Sequence, residues 1–175
     1  MFKIILCFII TLLLGICAFG QSKIVEIKRT IGSHSVKIIF VTKPFLEKQH
    51  KIRQVSDERH SVYGTWIDGK FTLGTDLSIP RTEVASISVY FDGKKVPTPR
   101  RLYSDCYEPN FGKDYFWLKF ADDGKSVMAF MAASDAAGSY QVFWIFSKDG
   151  KHSRFSSKNS DVDYTDFAKG FFEDK

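Results

Sequence analysis

A single antiparallel β-sandwich or partly open barrel, with one or two short helices, is the fold class this sequence predicts. Three observations predict it. Val84 to Phe91 alternates, with Ala85, Ile87, Val89 and Phe91 on one side and Ser86 and Ser88 on the other, the period of a half-buried strand. Segments of strand length rich in β-branched and aromatic residues recur along the chain. The triplet Asp-Gly-Lys occurs four times, beginning at Asp68, Asp92, Asp123 and Asp149, each time between candidate strands.

The N-terminal segment stands outside this pattern. Lys3 supplies a positive charge, Ile4 to Ile16 is an apolar run, and Ala18-Phe19-Gly20 places small residues ahead of Gln21. That is the layout of a secretory signal peptide, and the run is shorter than the roughly 20 apolar residues of a membrane span. The expectation is a signal peptide over 1–20 and a single β-rich domain over 21–175. It carries a secreted or periplasmic location and no membrane span after cleavage; the alternatives are retention as an uncleaved anchor and a lipid-modified Cys17, against which the large Ile16 before it argues. Cys7 and Cys17 leave with the signal, so Cys106 remains alone and no intrachain disulfide can form. Stability must then come from the core, and an aromatic content of 15% supplies the bulk for it.

Strands are expected from Lys23 to Thr30, His34 to Thr42, Phe71 to Leu73, Val84 to Phe91, Tyr115 to Phe120, Ser126 to Ala133 and Tyr140 to Ser147. The four Asp-Gly pairs are read as the reversals between them, because glycine adopts positive φ without steric cost, while the lysine keeps each tip in water. A calcium array is the competing reading. It fails on ligand count, since no triplet is followed by the closing bidentate acid of a calcium loop. Two stretches break the strand pattern. Pro44 to His60 is polar and reads as a solvated helix or long loop, with Thr42 as a cap. Asp161 to Phe172 carries Phe167, Phe171 and Phe172 at helix-like spacing, and reads as a short C-terminal helix packed on an edge or open end of the sheet.

The function classes narrow mostly by exclusion. A formal net charge of +5 is spread along the chain, with no run of like charges and no basic zone interleaved with aromatics, so nucleic acid is not an expected partner. The four histidines stand singly, without metal-ligand spacing, and no nucleotide-binding or serine-hydrolase motif is present. No cofactor or metal is expected.

Two loops remain as candidate sites. Val96 to Phe111, "VPTPRRLYSDCYEPNF", is a proline-broken excursion. Arg100 and Arg101 there are candidate ligands for a carboxylate or phosphate through the guanidinium fork, although Asp105 and Glu108 are expected to pair with them instead. Cys106 is a candidate nucleophile only if a histidine base lies within reach; a small buried thiol is the plainer reading. The second loop, Ala132 to Gln141, offers Ser139 and Tyr140 as hydroxyls at a protruding bend.

Gly138-Ser139-Tyr140, opening a strand in a small exported β protein, resembles the Ser-Gly-x-Tyr-like loop of bacterial periplasmic lysozyme inhibitors, although Ala137 stands where that loop has serine. The resemblance implies a bend inserted into a lysozyme cleft. The reading of the residues themselves is a secreted or periplasmic non-enzymatic binding domain. Its partner is a protein or a small anionic ligand, with Arg100, Arg101, Ser139 and Tyr140 as binding residues. The alternatives are a lysozyme-type inhibitor and a thiol-dependent hydrolase using Cys106.

Overall fold

The computed structural model describes residues 22–56, 64–75, 78–133 and 139–157. The expected signal peptide, the expected C-terminal helix and Gly138 lie outside the described residues. In chain order the strands are β1 (Ile24–Ile31), β2 (His34–Pro44), β3 (Ile52–Val55), β4 (Gly64–Ile67), β5 (Lys70–Phe71), β6 (Thr82–Phe91), β7 (Lys94–Val96), β8 (Phe116–Phe120), β9 (Ser126–Ala133), β10 (Tyr140–Ser147) and β11 (His152–Ser157). They form two four-stranded antiparallel sheets, β1-β2-β6-β7 and β11-β10-β9-β8, and a three-stranded sheet β3-β4-β5.

Alternation in the sequence decides which faces meet. Val36, Ile38 and Phe40 of β2 and Ile87, Val89 and Phe91 of β6 share one core with Val127, Ala129 and Met131 of β9 and Val142, Trp144 and Phe146 of β10. The two large sheets therefore face each other as a β-sandwich. Phe40 lies at the centre, with its ring 5.1 Å from Phe116, 5.5 Å from Trp144 and 5.7 Å from Phe111. Each fully buried side chain of this size contributes roughly 1.5–3 kcal/mol relative to exposure, so the aromatic strands hold the sandwich without a disulfide.

All four Asp-Gly-Lys triplets join consecutive antiparallel strands, and they do so in two ways. At Asp68-Gly69 and Asp92-Gly93 both residues have positive φ, +52° and +78° in the first and +50° and +79° in the second, the geometry of a two-residue type I′ turn. At Asp123-Gly124 and Asp149-Gly150 only the glycine is left-handed. There each aspartate Oδ1 accepts the N–H of the lysine two residues on, at 2.9 Å for Lys125 and 3.1 Å for Lys151. All four lysines are exposed.

Three expectations change. The polar stretch after Pro44 is neither a helix nor a long loop throughout. It forms a 3-10 turn over Glu47–Gln49 and then β3, whose Ile52 pairs with Ile67 and packs on a second small core of Phe45, Ile67 and Tyr107. Pairing partners outside the segment decide that outcome, which local composition could not reveal. Residues from His152 to Ser157, for which no strand was expected by name, form the edge strand β11 on β10. The alternation of β6 also fails at Ala85. The register with β2 slips between Val41 and Thr42, so Ala85 is an extra residue and Val84 joins the main core in its place. Such a bulge reverses the facing of every residue beyond it. Glu83 is thereby turned to the far side of the sheet, under β3-β4-β5, where it is buried. Among the described residues there is no α-helix; two 3-10 turns, Glu47–Gln49 and Arg100–Leu102, are the helical elements.

Candidate functional site

The proline-broken loop from Pro97 to Phe111 is bonded to both sides of the sandwich. Pro99 is extended and introduces the 3-10 turn Arg100–Leu102. Trp144 Nε1 donates to the Leu102 carbonyl at 2.6 Å, and the Tyr140 hydroxyl donates to the Tyr107 carbonyl at 3.0 Å. Arg154 Nη1 donates to both Asp105 carboxylate oxygens, at 2.7 and 3.0 Å. On the other side the Val84 N–H donates to the Cys106 carbonyl at 3.2 Å, and the Glu108 N–H to the Thr82 carbonyl at 3.1 Å. Residues 105–107 continue to the small sheet, where Leu73 bridges Cys106. Gly74 passes so close that a Cβ there would come within 2.6 Å of the Tyr140 ring, and its φ of +83° also requires glycine.

Glu108 has φ +46°, unusual for a residue with a long side chain. Its carboxylate holds that conformation by accepting from the Arg81 and Thr82 N–H groups and, at 3.0 Å, from the Thr82 hydroxyl. The two acids expected to neutralise Arg100 and Arg101 are therefore used elsewhere. Asp105 serves Arg154, and Glu108 serves the Arg81–Thr82 backbone.

Arg100 and Arg101 are both exposed on this fixed loop. Among the described residues neither makes an ion pair. Arg101 Nη2 instead donates to His152 Nε2 at 2.9 Å. A guanidinium can only donate, so Nε2 is the acceptor in this contact, and Nδ1 faces the Gly150 carbonyl at 3.3 Å. Further cations flank the arginines. Lys70 Nζ donates to Ser104 Oγ at 2.8 Å, and the charge of Arg100 acts on Asp68 across the β4–β5 turn. Beside Asp68 an open cleft of about 430 Å³ is lined by Lys48, Gln49, His50 and Lys51.

The floor of that cleft escaped the sequence reading. His50 stacks on Phe45 with ring centroids 4.4 Å apart, and its side chain is only 4% exposed. Nδ1 is 2.8 Å from Asp68 Oδ2, and Nε2 is 3.5 Å from Glu83 Oε1, which Lys43 Nζ approaches to 2.9 Å. The Lys51 N–H, aided by His50, holds the Asp68 carboxyl below the ordinary aspartate range. No residue pattern announced it, but the structure repeats the arrangement at a second histidine. Both His34 and His50 stand two residues before a β-branched strand residue whose partner immediately precedes an Asp-Gly turn.

The remaining candidates lie in the interior. Tyr140 is buried, so its hydroxyl is not presented at the tip of a bend, and burial raises its pKa. Ser139 beside it is half-buried. Cys106 is buried and its thiol is pushed up to about 12 by that burial, the reverse of what a thiolate nucleophile needs. Among the described residues no cluster of three or more metal-ligating side chains occurs, and no helix is long and apolar enough to cross a membrane. Comparison with family models, curated proteins and solved structures found no match.

Proposed function

We propose that this chain is an exported, non-enzymatic binding domain whose ligand presents a carboxylate or phosphate to Arg100 and Arg101. One observation carries the reading: two adjacent exposed guanidinium groups sit on a loop bonded to both sheets, while the acids nearest in sequence are committed to other partners. A guanidinium with no carboxylate in ion-pair contact keeps much of its field for an incoming anion even with Asp68 nearby, and two neighbouring forks match the paired oxygens of a carboxylate or phosphate. Lys70, Lys48 and Lys51 extend the positive rim, and Ser104 adds a hydroxyl. The open shape of the cleft suits a group at the end of a larger molecule. Export is supported by the charge, apolar run and small residues of 1–20; N-terminal sequencing of protein recovered outside the cytoplasm should begin at Gln21.

The binding reading is tested by NMR titration with inorganic phosphate and with a short glutamate peptide. The amide signals of Arg100, Arg101 and Ser104 should shift. The combined variant Arg100→Ala, Arg101→Ala should weaken binding at least about tenfold, or about 1.4 kcal/mol, while keeping the fold. Absence of shifts with both probes at millimolar concentration would remove the proposal.

A further inference from the structure

The two large sheets differ on their outer faces. On β2 and β6 the outward residues Lys37, Ile39, Val41, Ser86, Ser88 and Tyr90 are all half-buried, as expected of a face in contact with water. On the sheet β8 to β11 the outward residues of the two central strands, β9 and β10, are apolar and nearly inaccessible, while on the flanking strands Lys119 is half-buried and Ser153 and Phe155 are exposed. Met128, Phe130, Phe143 and Ile145 are none more than 6% exposed, and with Trp117 and Ala132 they form a core of their own on the side away from the sandwich interior. Trp117 stacks on Phe130 at 4.9 Å, and Phe143 lies 4.9 Å from Phe130 and 6.2 Å from Trp117. Neighbours within one sheet shield the sides of such groups but not their tops, so a further layer covers this face.

We propose that the layer is the chain's own C-terminal segment, residues 158–175, docked with Phe167, Phe171 and Phe172 over Trp117, Phe130 and Phe143. The geometry of the exit favours it. The chain leaves β11 at Ser157, paired with Gln141 on the edge of this same sheet. Crossing from β11 to β8 is about 14 Å at the usual strand spacing, and 158–175 spans about 27 Å even if wholly helical. The segment carries apolar groups suited to this face: Val162, Tyr164 and the three phenylalanines, with Phe167 and Phe171 one helical turn apart. Its acids, Asp161, Asp163, Asp166, Glu173 and Asp174, outnumber Lys158, Lys169 and Lys175. Lys119 stands on the same side of β8 as Trp117, two residues on. The docked segment gives the second sheet an inside on both faces, which accounts for the unbroken apolar run of β9.

A nitroxide on Ala168→Cys in the full chain carrying Cys7→Ser and Cys17→Ser tests this directly, because buried Cys106 stays unlabelled. The Met128 and Ile145 side-chain signals should be lost within one molecule. Unchanged signals would overturn the proposal. So would loss only when labelled and unlabelled chains are mixed, which would assign the cover to a second copy. In a separate full-chain variant, Phe167→Ser, Phe171→Ser, Phe172→Ser should shift the Trp117 emission to the red and raise the binding of an apolar dye, with the signals of Phe40 and Trp144 in place. A variant that leaves both readouts unmoved would assign the cover to some other element and also overturn it.

Discussion

The same fastening occurs twice in this molecule, in two different surroundings. At the start of β2 and just before β3, a histidine precedes a residue that exchanges two hydrogen bonds with the aspartate of a type I′ turn. The Asp92 N–H donates to the Ser35 carbonyl at 2.7 Å, and Asp92 Oδ1 accepts the Ser35 N–H at 2.8 Å. The Asp68 N–H donates to the Lys51 carbonyl at 3.0 Å, and Asp68 Oδ1 accepts the Lys51 N–H at 3.0 Å. Oδ2 meets His34 Nδ1 at 3.0 Å in the first and His50 Nδ1 at 2.8 Å in the second. The register agrees as well, since Val36 faces Phe91 and Ile52 faces Ile67, each of these last just ahead of its aspartate. What differs is the far side of the ring. His34 is partly solvated and shares Asp92 with Lys148 Nζ at 2.7 Å, whereas His50 is enclosed between Phe45 and Glu83. Identical local chemistry is a surface clasp in one place and the floor of a cleft in the other.

Removing the ring should separate the two sites most. His50→Ala empties a buried aromatic position and leaves Asp68 and Glu83 facing each other, at a cost of roughly 2–4 kcal/mol. His34→Ala should stay within about 1 kcal/mol. Chemical denaturation of both variants checks this, and equal losses would erase the distinction drawn from burial. A smaller effect is expected from acid. Asp92 is held well below the ordinary carboxylate range by Lys148 and by the Ser35 N–H, and Asp68 is lowered by the Lys51 N–H and His50. A carboxylate with a depressed folded pKa contributes stability above its unfolded value of about 3.9 and loses it as pH falls through the folded one. Asp92→Asn and Asp68→Asn should therefore flatten the loss of stability below about pH 4. High salt should mask more of the Asp92 effect, because that carboxylate faces water. The least difference is expected at the glycines. Both Gly69 and Gly93 have positive φ and open space where a Cβ would stand. Gly69→Ala and Gly93→Ala should each lower stability by about 1 kcal/mol, through conformation alone, and unequal values would mean that the two turns are not equivalent.

The large sheets were legible in the sequence because their information is local. Alternation in β2 and β6, and apolar runs in β9 and β10, state which side faces in, and Asp-Gly states where the chain reverses. β3 was not legible, since Arg53 and Gln54 are exposed and Ile52 and Val55 are only half-buried, which leaves no apolar alternation to read. Nor was the bulge at Ala85, which no residue type announces. Arg100 and Arg101 could be picked out as donors, and the expectation that Asp105 and Glu108 would neutralise them failed because the competing partners, Arg154 and the Arg81–Thr82 backbone, are distant in sequence. Tyr140 was misplaced for a related reason: a tyrosine opening a strand can point either way, and the position of Tyr107, far back in the chain, decides. The cleft floor at His50 is assembled from three segments, so it became visible only when they were brought together.

The irregularity in β6 ties two interiors to one strand. On one side of Ala85 that strand serves the sandwich through Ile87, Val89 and Phe91, and beyond it Val84 and Glu83 point in opposite directions, one into each compartment. Neither compartment can loosen without dragging the shared ribbon out of the other. Melting should accordingly be a single event, with the cleft and the sandwich lost together.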